Sequence, residues 1–236
     1  MDASTAFSIL AESSFFTRRQ RQAGSWGEHG SLRSVRYDYV WQRRRRIADH
    51  LFAFGAPPEV TLEAVRAYDP VVKHQLFVTG EGLEVYLAAG WEVQAEQFLM
   101  GRKPAVLAEP AYTVERAVRP SDAFMLNRIG GGGGVTIEDL IDPGLQFYYI
   151  AEGNLPLAQA RTGAVREDVC WVSDVFTAPS HRRRGMARAL MVHILAENAR
   201  SGPPYNLLLA SEAGFELYRS LDYESITPVV RLTLSR

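Results

Sequence analysis

Residues 175–190, VFTAPSHRRRGMARAL, constrain this chain more than any other stretch. An apolar run ends, a tight segment with Pro179 follows, and a helix opens with Gly185 and Ala187 spaced two apart. Small residues at such a point let the backbone come close to a ligand, and the unpaired amides and positive dipole end of the helix attract phosphate. Arg182, Arg183 and Arg184 add charge at the same place. Two other phosphate motifs fit worse: no Lys-Ser/Thr follows the glycine, as in a nucleoside-triphosphate loop, and the three-glycine dinucleotide fingerprint is missing.

The elements around this segment alternate between strand and helix. Residues 112–117 read as a strand and 122–129 as a helix, followed by the glycine run Gly130–Gly134, a flexible hinge or substrate-side loop. Strands are expected at 147–151, 155–162, 170–177, 206–210 and 229–234, with helices at 183–198 and 213–220. Such mixing implies a sheet with helices on its faces. Upstream, residues 1–32 read as a partly ordered arm and 35–54 as a helix with Tyr39, Ile47, Leu51 and Phe54 on its apolar face. A short helix from a Thr61 cap to Tyr68 follows, then a strand at 74–78, a helix at 81–89 and a strand at 91–100. The proline-bearing segment 101–110 is the expected boundary, giving an accessory half-domain over 33–110 and a second domain over 111–236.

One internal repeat links the two halves. Gly82-Leu-Glu-Val-Tyr86-Leu-Ala-Ala-Gly-Trp91 matches Gly214-Phe-Glu-Leu-Tyr218-Arg-Ser-Leu-Asp-Tyr223, each copy after an apolar strand and before another. A duplicated strand–helix–strand unit accounts for the matches.

Composition narrows the function classes. With 236 residues, 47% hydrophobic and 22% charged, the chain is an ordinary globular one, and a formal net charge of -1 gives no global field for a nucleic-acid backbone. No stretch approaches the roughly eighteen apolar residues of a membrane helix and the start lacks signal-peptide order, so a cytoplasmic protein is expected. The single cysteine, Cys170, sits in an apolar strand and reads as packing; no metal site is expected. The basic runs at Arg18–Arg21 and Arg43–Arg46 read as solvated helix faces or as contacts to an acidic partner.

Arg182-x-x-Gly185-x-Ala187 resembles the acyl-coenzyme A pyrophosphate loop of the GCN5-related N-acetyltransferase (GNAT) superfamily. The stretch from Leu208 to Tyr223 is similar to that family's later motif, with Ser211 in place of a common Asn and Asp222-Tyr223 in place of Gly-Phe. The similarity extends over about 112–234. It implies an α/β fold with a mixed, mostly antiparallel sheet flanked by helices and splayed to admit acyl-CoA. By the same resemblance the cofactor-binding residues are Val175, Phe176 and Thr177 beside the pantetheine arm, the loop Arg182, Arg183, Arg184, Gly185, Met186, Ala187 and Arg188, and Tyr218. The N-terminal half then resembles part of a decayed copy that has lost the phosphate loop.

The implied reaction moves an acetyl group from acetyl-CoA to a primary amine of a small molecule by direct attack, with no metal. Tyr218 is implied as the acid that protonates the leaving thiolate, and an amide near Phe176 as the group that polarises the carbonyl. Asp174 is the first choice of base, with Glu212 and Glu152 as alternatives, Ser173 orienting a water and Ser211 contributing a hydrogen bond. His181 is either a phosphate contact or a loop histidine, and Trp171, Tyr148 and Tyr149 either line an acceptor pocket or pack the core. A non-catalytic acyl-CoA-binding regulator, or an acyltransferase acting on a peptide or carrier protein, remains the alternative. Whether the chain forms a homodimer is left open by the sequence.

Overall fold

The computed structural model describes residues 1–16, 25–30, 32–41, 44–69, 71–107, 109–129 and 134–234, with the backbone alone at 39–41, 44–46 and 201. The chain divides into two compact units, one made of Met1–Met100, Leu209–Tyr218 and Glu224–Arg236, the other of Gly101–Leu208 and Arg219–Tyr223. Helix α7 and the last strand therefore belong with the N-terminal residues, and the units do not follow the linear division at 110 that the sequence suggests.

The first unit holds α1 (Ala3–Phe16), β1 (Ser25–His29), β2 (Leu32–Trp41), β3 (Arg44–Ala53), α2 (Pro58–Val65), β4 (Lys73–Val78), α3 (Leu83–Ala88) and β5 (Trp91–Arg102, to Met100). Its sheet runs β1, β2, β3, β4, then the C-terminal strand (Glu224–Leu234), then β5. The β1–β2, β2–β3 and β4–C-terminal strand pairs are antiparallel, and β3 and β4 are parallel. Leu32, Leu51, Leu76, Tyr86, Trp91 and Leu232 meet in its core.

Three expectations are corrected here. Residues 3–16 are not an arm but a helix that buries Ala6, Phe7, Ile9, Leu10 and Ala11, because its apolar residues recur at helical spacing. The stretch 35–54 is not a helix but the β2–β3 hairpin, in which Arg36 stands directly opposite Asp49 and donates to both its carboxylate oxygens at 2.7 and 2.8 Å. Thr61 does not cap α2: the helix opens at Pro58 after Pro57, and Thr61 is buried in its first turns. Of the basic runs, Arg18, Arg19, Arg21 and Arg43 lie outside the described residues.

The second unit contains β6 (Glu115–Arg116), α4 (Pro120–Ile129), α5 (Ile137–Ile141), β7 (Leu145–Glu152), β8 (Leu155–Arg166), β9 (Val169–Thr177), α6 (Met186–Ser201) and the first four residues of β10 (Tyr205–Ser211). The strand order is β10, β9, β8, β7, β6, parallel between β10 and β9 and antiparallel elsewhere. Each unit is thus a mixed, mostly antiparallel sheet with helices, which the sequence predicts for its second half alone. The expected strand over 112–117 shrinks to two residues.

Alternation along β7 assigns the faces of this sheet. Tyr148 packs edge-on against His193 of α6, with ring centroids 5.3 Å apart, so α6 covers that face. Tyr149 points to the other face, where its hydroxyl donates to Glu115 at 3.0 Å. Helix α4 starts where Asp122 accepts from the amides of Val118 and Arg119, both at 2.9 Å. The short helix α5, absent from the sequence reading, is closed by a reciprocal Thr136–Asp139 capping box. Among the described residues no helix is long and apolar enough to cross a membrane. Of the glycine run only Gly134 is described.

Candidate active site

Strand β9 changes character part-way. Its first four residues are buried and pair in parallel with Tyr205–Leu208, whereas Ser173–Thr177 are half-buried and continue past that ladder. Against β8, Arg161 faces Ser173 and Gln159 faces Phe176, so three residue steps on β9 meet two on β8. This is a bulge at Asp174–Val175, and Asp174 adopts φ +51°, a left-handed conformation uncommon outside glycine.

The bulge has a buried cation beneath it. The Arg161 side chain, 5% exposed, donates from Nε to Ser173 Oγ at 3.1 Å and pairs with Asp174 Oδ2 at 3.0 Å. Arg161 escaped the sequence reading; the signal was a lone arginine in the apolar run LPLAQARTGAV.

Beyond Thr177 the chain turns through Pro179–His181 into α6. Arg182 folds back over the Phe176 ring, its guanidinium carbon 5.6 Å from the centroid, and donates to the Thr177 carbonyl at 3.2 Å. Arg183 has φ +64° and Gly185 φ +85°, two left-handed residues two apart, and the Tyr112 hydroxyl holds the intervening Arg184 carbonyl at 2.7 Å. Helix α6 then begins with no side-chain cap and no acidic residue in its first turn. The Gly185 carbonyl accepts from Ala189, and the amides of Met186, Ala187 and Arg188 have no acceptor within the helix. A methyl group at Gly185 would meet nothing within 4 Å, so the space beside its Cα is open. Arg182, Arg183, Arg184 and Arg188 are exposed around it, Arg188 donating to Ser220 Oγ at 3.0 Å.

The residues expected beside the cofactor, Val175, Phe176, Thr177 and Arg182 to Arg188, thus gather at the end of β9 and the start of α6. Asp174 is there too, already paired with Arg161. In the other unit, Ser211 is exposed at the end of β10 and Glu212 opens α7 (Glu212–Arg219). Tyr218, on α7, is buried, and desolvation pushes its phenol up to about 12. Glu152 is exposed at the end of β7, and His181 lies on the turn with Ser180 Oγ 2.9 Å from its Nδ1. Trp171, Tyr148 and Tyr149 are buried. Cys170 is a packing residue: burial raises its thiol to about 11, far from thiolate chemistry. No metal-binding cluster occurs among the described residues.

The family model of the acetyltransferase (GNAT) domain matches residues 158–226, a span that opens on β8 and holds the bulge, the loop and Tyr218. Residues 158–226, less than a third of the chain, thus match a GNAT domain. The N-acetyltransferase Eis of Mycobacterium bovis is 32% identical over 124 residues, which cover 52% of this chain and 28% of that relative. The chain therefore spans little more than a quarter of the length of the curated relatives it matches. Among solved structures, a GCN5-related N-acetyltransferase from Kribbella flavida superposes with a TM-score of 0.72 at 21% identity, covering 100% of this chain and 97% of that one. An acetyltransferase of the GNAT family from Novosphingobium aromaticivorans gives 0.59 at 16% identity, covering 97% of each chain. These structural likenesses establish the fold alone.

The donor set at the start of α6 suits a diphosphate such as that of an acyl-CoA. Uncapped helix amides, an open approach over Gly185, and exposed guanidinium groups without an acid among them form a site for a dianion.

Proposed function

We propose that this protein is an N-acyltransferase that transfers an acetyl group from acetyl-CoA to a primary amine of a small molecule by direct attack. The observation that carries the reading is the start of α6, uncapped and acid-free behind the two left-handed residues Arg183 and Gly185.

In this reading the amides of residues 183–188 and the arginines around them hold the diphosphate. Val175, Phe176 and Thr177, which run beyond the β9–β10 ladder, pair with the pantetheine arm where the sheet splays. When bound, acetyl-CoA supplies an activated thioester carbonyl. A backbone amide just after the bulge, near Phe176, donates to that carbonyl oxygen as negative charge builds on it. Tyr218 gives its proton to the departing sulfur, and its raised pKa keeps it protonated at neutral pH. The acceptor must attack as a neutral amine. Because Asp174 is held by Arg161, that proton passes to Glu212 or Glu152, directly or through water, with Ser211 hydrogen-bonding at the strand end.

The reading assigns catalysis to 111–236 and treats 33–110 as a decayed copy. Two features support this: both repeat copies form strand–helix–strand, and α2 opens with Pro57-Pro58-Glu59, which offers few amide donors and an acidic side chain where a phosphate would need the reverse.

Calorimetric titration of the wild type and Gly185→Glu with acetyl-CoA tests the proposal. One-site binding that the acidic side chain weakens by about 100-fold or more, with unchanged circular dichroism, is expected. Folded wild-type protein that binds neither acetyl-CoA nor a longer acyl-CoA would overturn it. Release of coenzyme A thiol against a panel of amines then identifies the acceptor.

A further inference from the structure

We infer that Arg161 is a positioning residue for acyl transfer: by gripping Ser173 and Asp174 it fixes the β9 bulge and thereby aims the backbone amides that follow it. The inference rests on the reaction proposed above for the same site.

Strand β8 is buried on both faces from Pro156 to Gly163, and Arg161 sits within that run. A cation in such surroundings persists only with partners. Its guanidinium group reaches two consecutive residues, Ser173 directly opposite in register and Asp174 next along β9. One planar guanidinium therefore spans the point where the ladder slips, and its rigid fork fixes both residues together.

Asp174 does not continue an extended strand. Its φ of +51° is unfavourable for a side-chain-bearing residue and needs the surroundings to hold it. The Arg161–Asp174 pair supplies that hold, drawing the carboxylate back toward β8. Neither Asp174 nor Val175 has an opposite residue on β8, so the direction of the next amides is set by the bulge and not by regular pairing. This gives Asp174 the role of an anchor and not of the proton acceptor. A shift of an amide by a fraction of an ångström changes its distance to a carbonyl oxygen enough to weaken the stabilisation it gives.

The test pairs kinetics with amide hydrogen exchange. Arg161→Met is expected to lower kcat by about 100-fold while the affinity for acetyl-CoA falls by less than about tenfold, because the phosphate loop is untouched and only the pantetheine contacts of 175–177 loosen. Arg161→Lys, which reaches Asp174 but lacks the fork, should recover roughly tenfold of that loss. Asp174→Asn keeps an acceptor for the guanidinium and is expected to lose about tenfold. A loss of about a thousandfold or more in Asp174→Asn, with Arg161→Met close to wild type, would make Asp174 the base and overturn the inference.

Exchange is followed without any acyl donor, in wild type, Arg161→Met and Arg161→Lys. Residues 173–177 should exchange about tenfold faster in Arg161→Met, with 169–172 unchanged. Equal exchange at 173–177 in all three overturns the anchoring whatever the turnover. If Arg161→Met does not fold, Arg161→Lys alone decides: unaltered exchange and turnover refute the role. Wild-type protein that shows the exchange difference but no acetyl transfer counts against the proposed reaction and leaves the anchoring of the bulge standing.

Discussion

A methyl group placed on Gly214 would stand 3.1 Å from Cε2 of Tyr218, one helical turn further along α7. The two residues share a face of the helix, and the missing side chain at 214 leaves room for the phenol ring. Gly214→Ala gains helix propensity of about 1 kcal/mol but must displace the ring by a few tenths of an ångström. We expect a thermal midpoint near that of the wild type with kcat reduced several-fold, whereas Tyr218→Phe, which removes the proposed acid, reduces kcat by on the order of 100-fold. Steady-state turnover and differential scanning calorimetry on both variants separate the two effects. Equal turnover in Gly214→Ala and wild type would show that the ring position is not critical.

Burial also makes the fold sensitive to alkali. Desolvation pushes the phenols of Tyr148 and Tyr218 up to about 12, while in the unfolded chain a phenol titrates near 10. The protonated form is favoured by folding, so this contribution is complete below about pH 10 and is lost as pH rises through about 12. A difference of that size corresponds to roughly 3 kcal/mol for each ring. Urea midpoints should be flat up to about pH 9.5 and fall steeply above it, with Tyr148→Phe and Tyr218→Phe each flattening part of the fall. A slope identical in both variants and the wild type would assign the alkaline loss to other groups.

The loop before α6, the candidate phosphate site, was legible because its determinants are neighbours in sequence: strand end, proline, arginines, Gly185 and Ala187. The repeat was legible for the same reason, since Tyr86 and Tyr218 lie inside short amphipathic helices. Arg161 was not, because its partners come through a strand register that slips at a bulge, and nothing in PLAQARTGAV says where β9 will bulge. The β2–β3 hairpin was misread as one helix because apolar residues at 47, 51 and 54 fit a helical stripe, while the evidence for a turn lay in the distant match of Arg36 to Asp49. Helix α5 did carry a local signal, Thr136 three residues before Asp139, which the glycine run beside it obscured.

That Arg36–Asp49 pair predicts an asymmetry. Asp49 is 1% exposed, whereas the Arg36 side chain is 42% exposed and can return to water when its partner is removed. Arg36→Ala leaves a carboxylate buried without its guanidinium and is expected to cost about 3 kcal/mol, against about 1 kcal/mol for Asp49→Ala. Urea unfolding of the two variants measures the difference. Equal costs would mean that the pair behaves as an ordinary surface ion pair.

The two repeat copies solve the same turn with different residues. Gly90, at φ +87°, precedes buried Trp91, and Asp222, at φ +59°, precedes buried Tyr223, so each helix returns to its strand through one left-handed residue. Glycine reaches that conformation without steric cost, and aspartate does so with a penalty smaller than that of most side chains. The ion pair of Asp222 with Arg102, at 3.7 Å with the carboxylate 85% exposed, offsets little of this. Gly90→Asp should therefore lower stability by about 1 kcal/mol even though a methyl group there would meet nothing within 4 Å. Asp222→Gly should be neutral or stabilising by up to about 0.5 kcal/mol, since relief of strain outweighs the added freedom of the unfolded chain. Asp222→Ala, lacking both glycine's freedom and aspartate's local hydrogen bonding, should fall below wild type by about 1 kcal/mol. Thermal midpoints of the three variants order these costs. A Gly90→Asp protein as stable as wild type would show that the two turns are not held alike, and the structural equivalence of the copies would then stop at their helices.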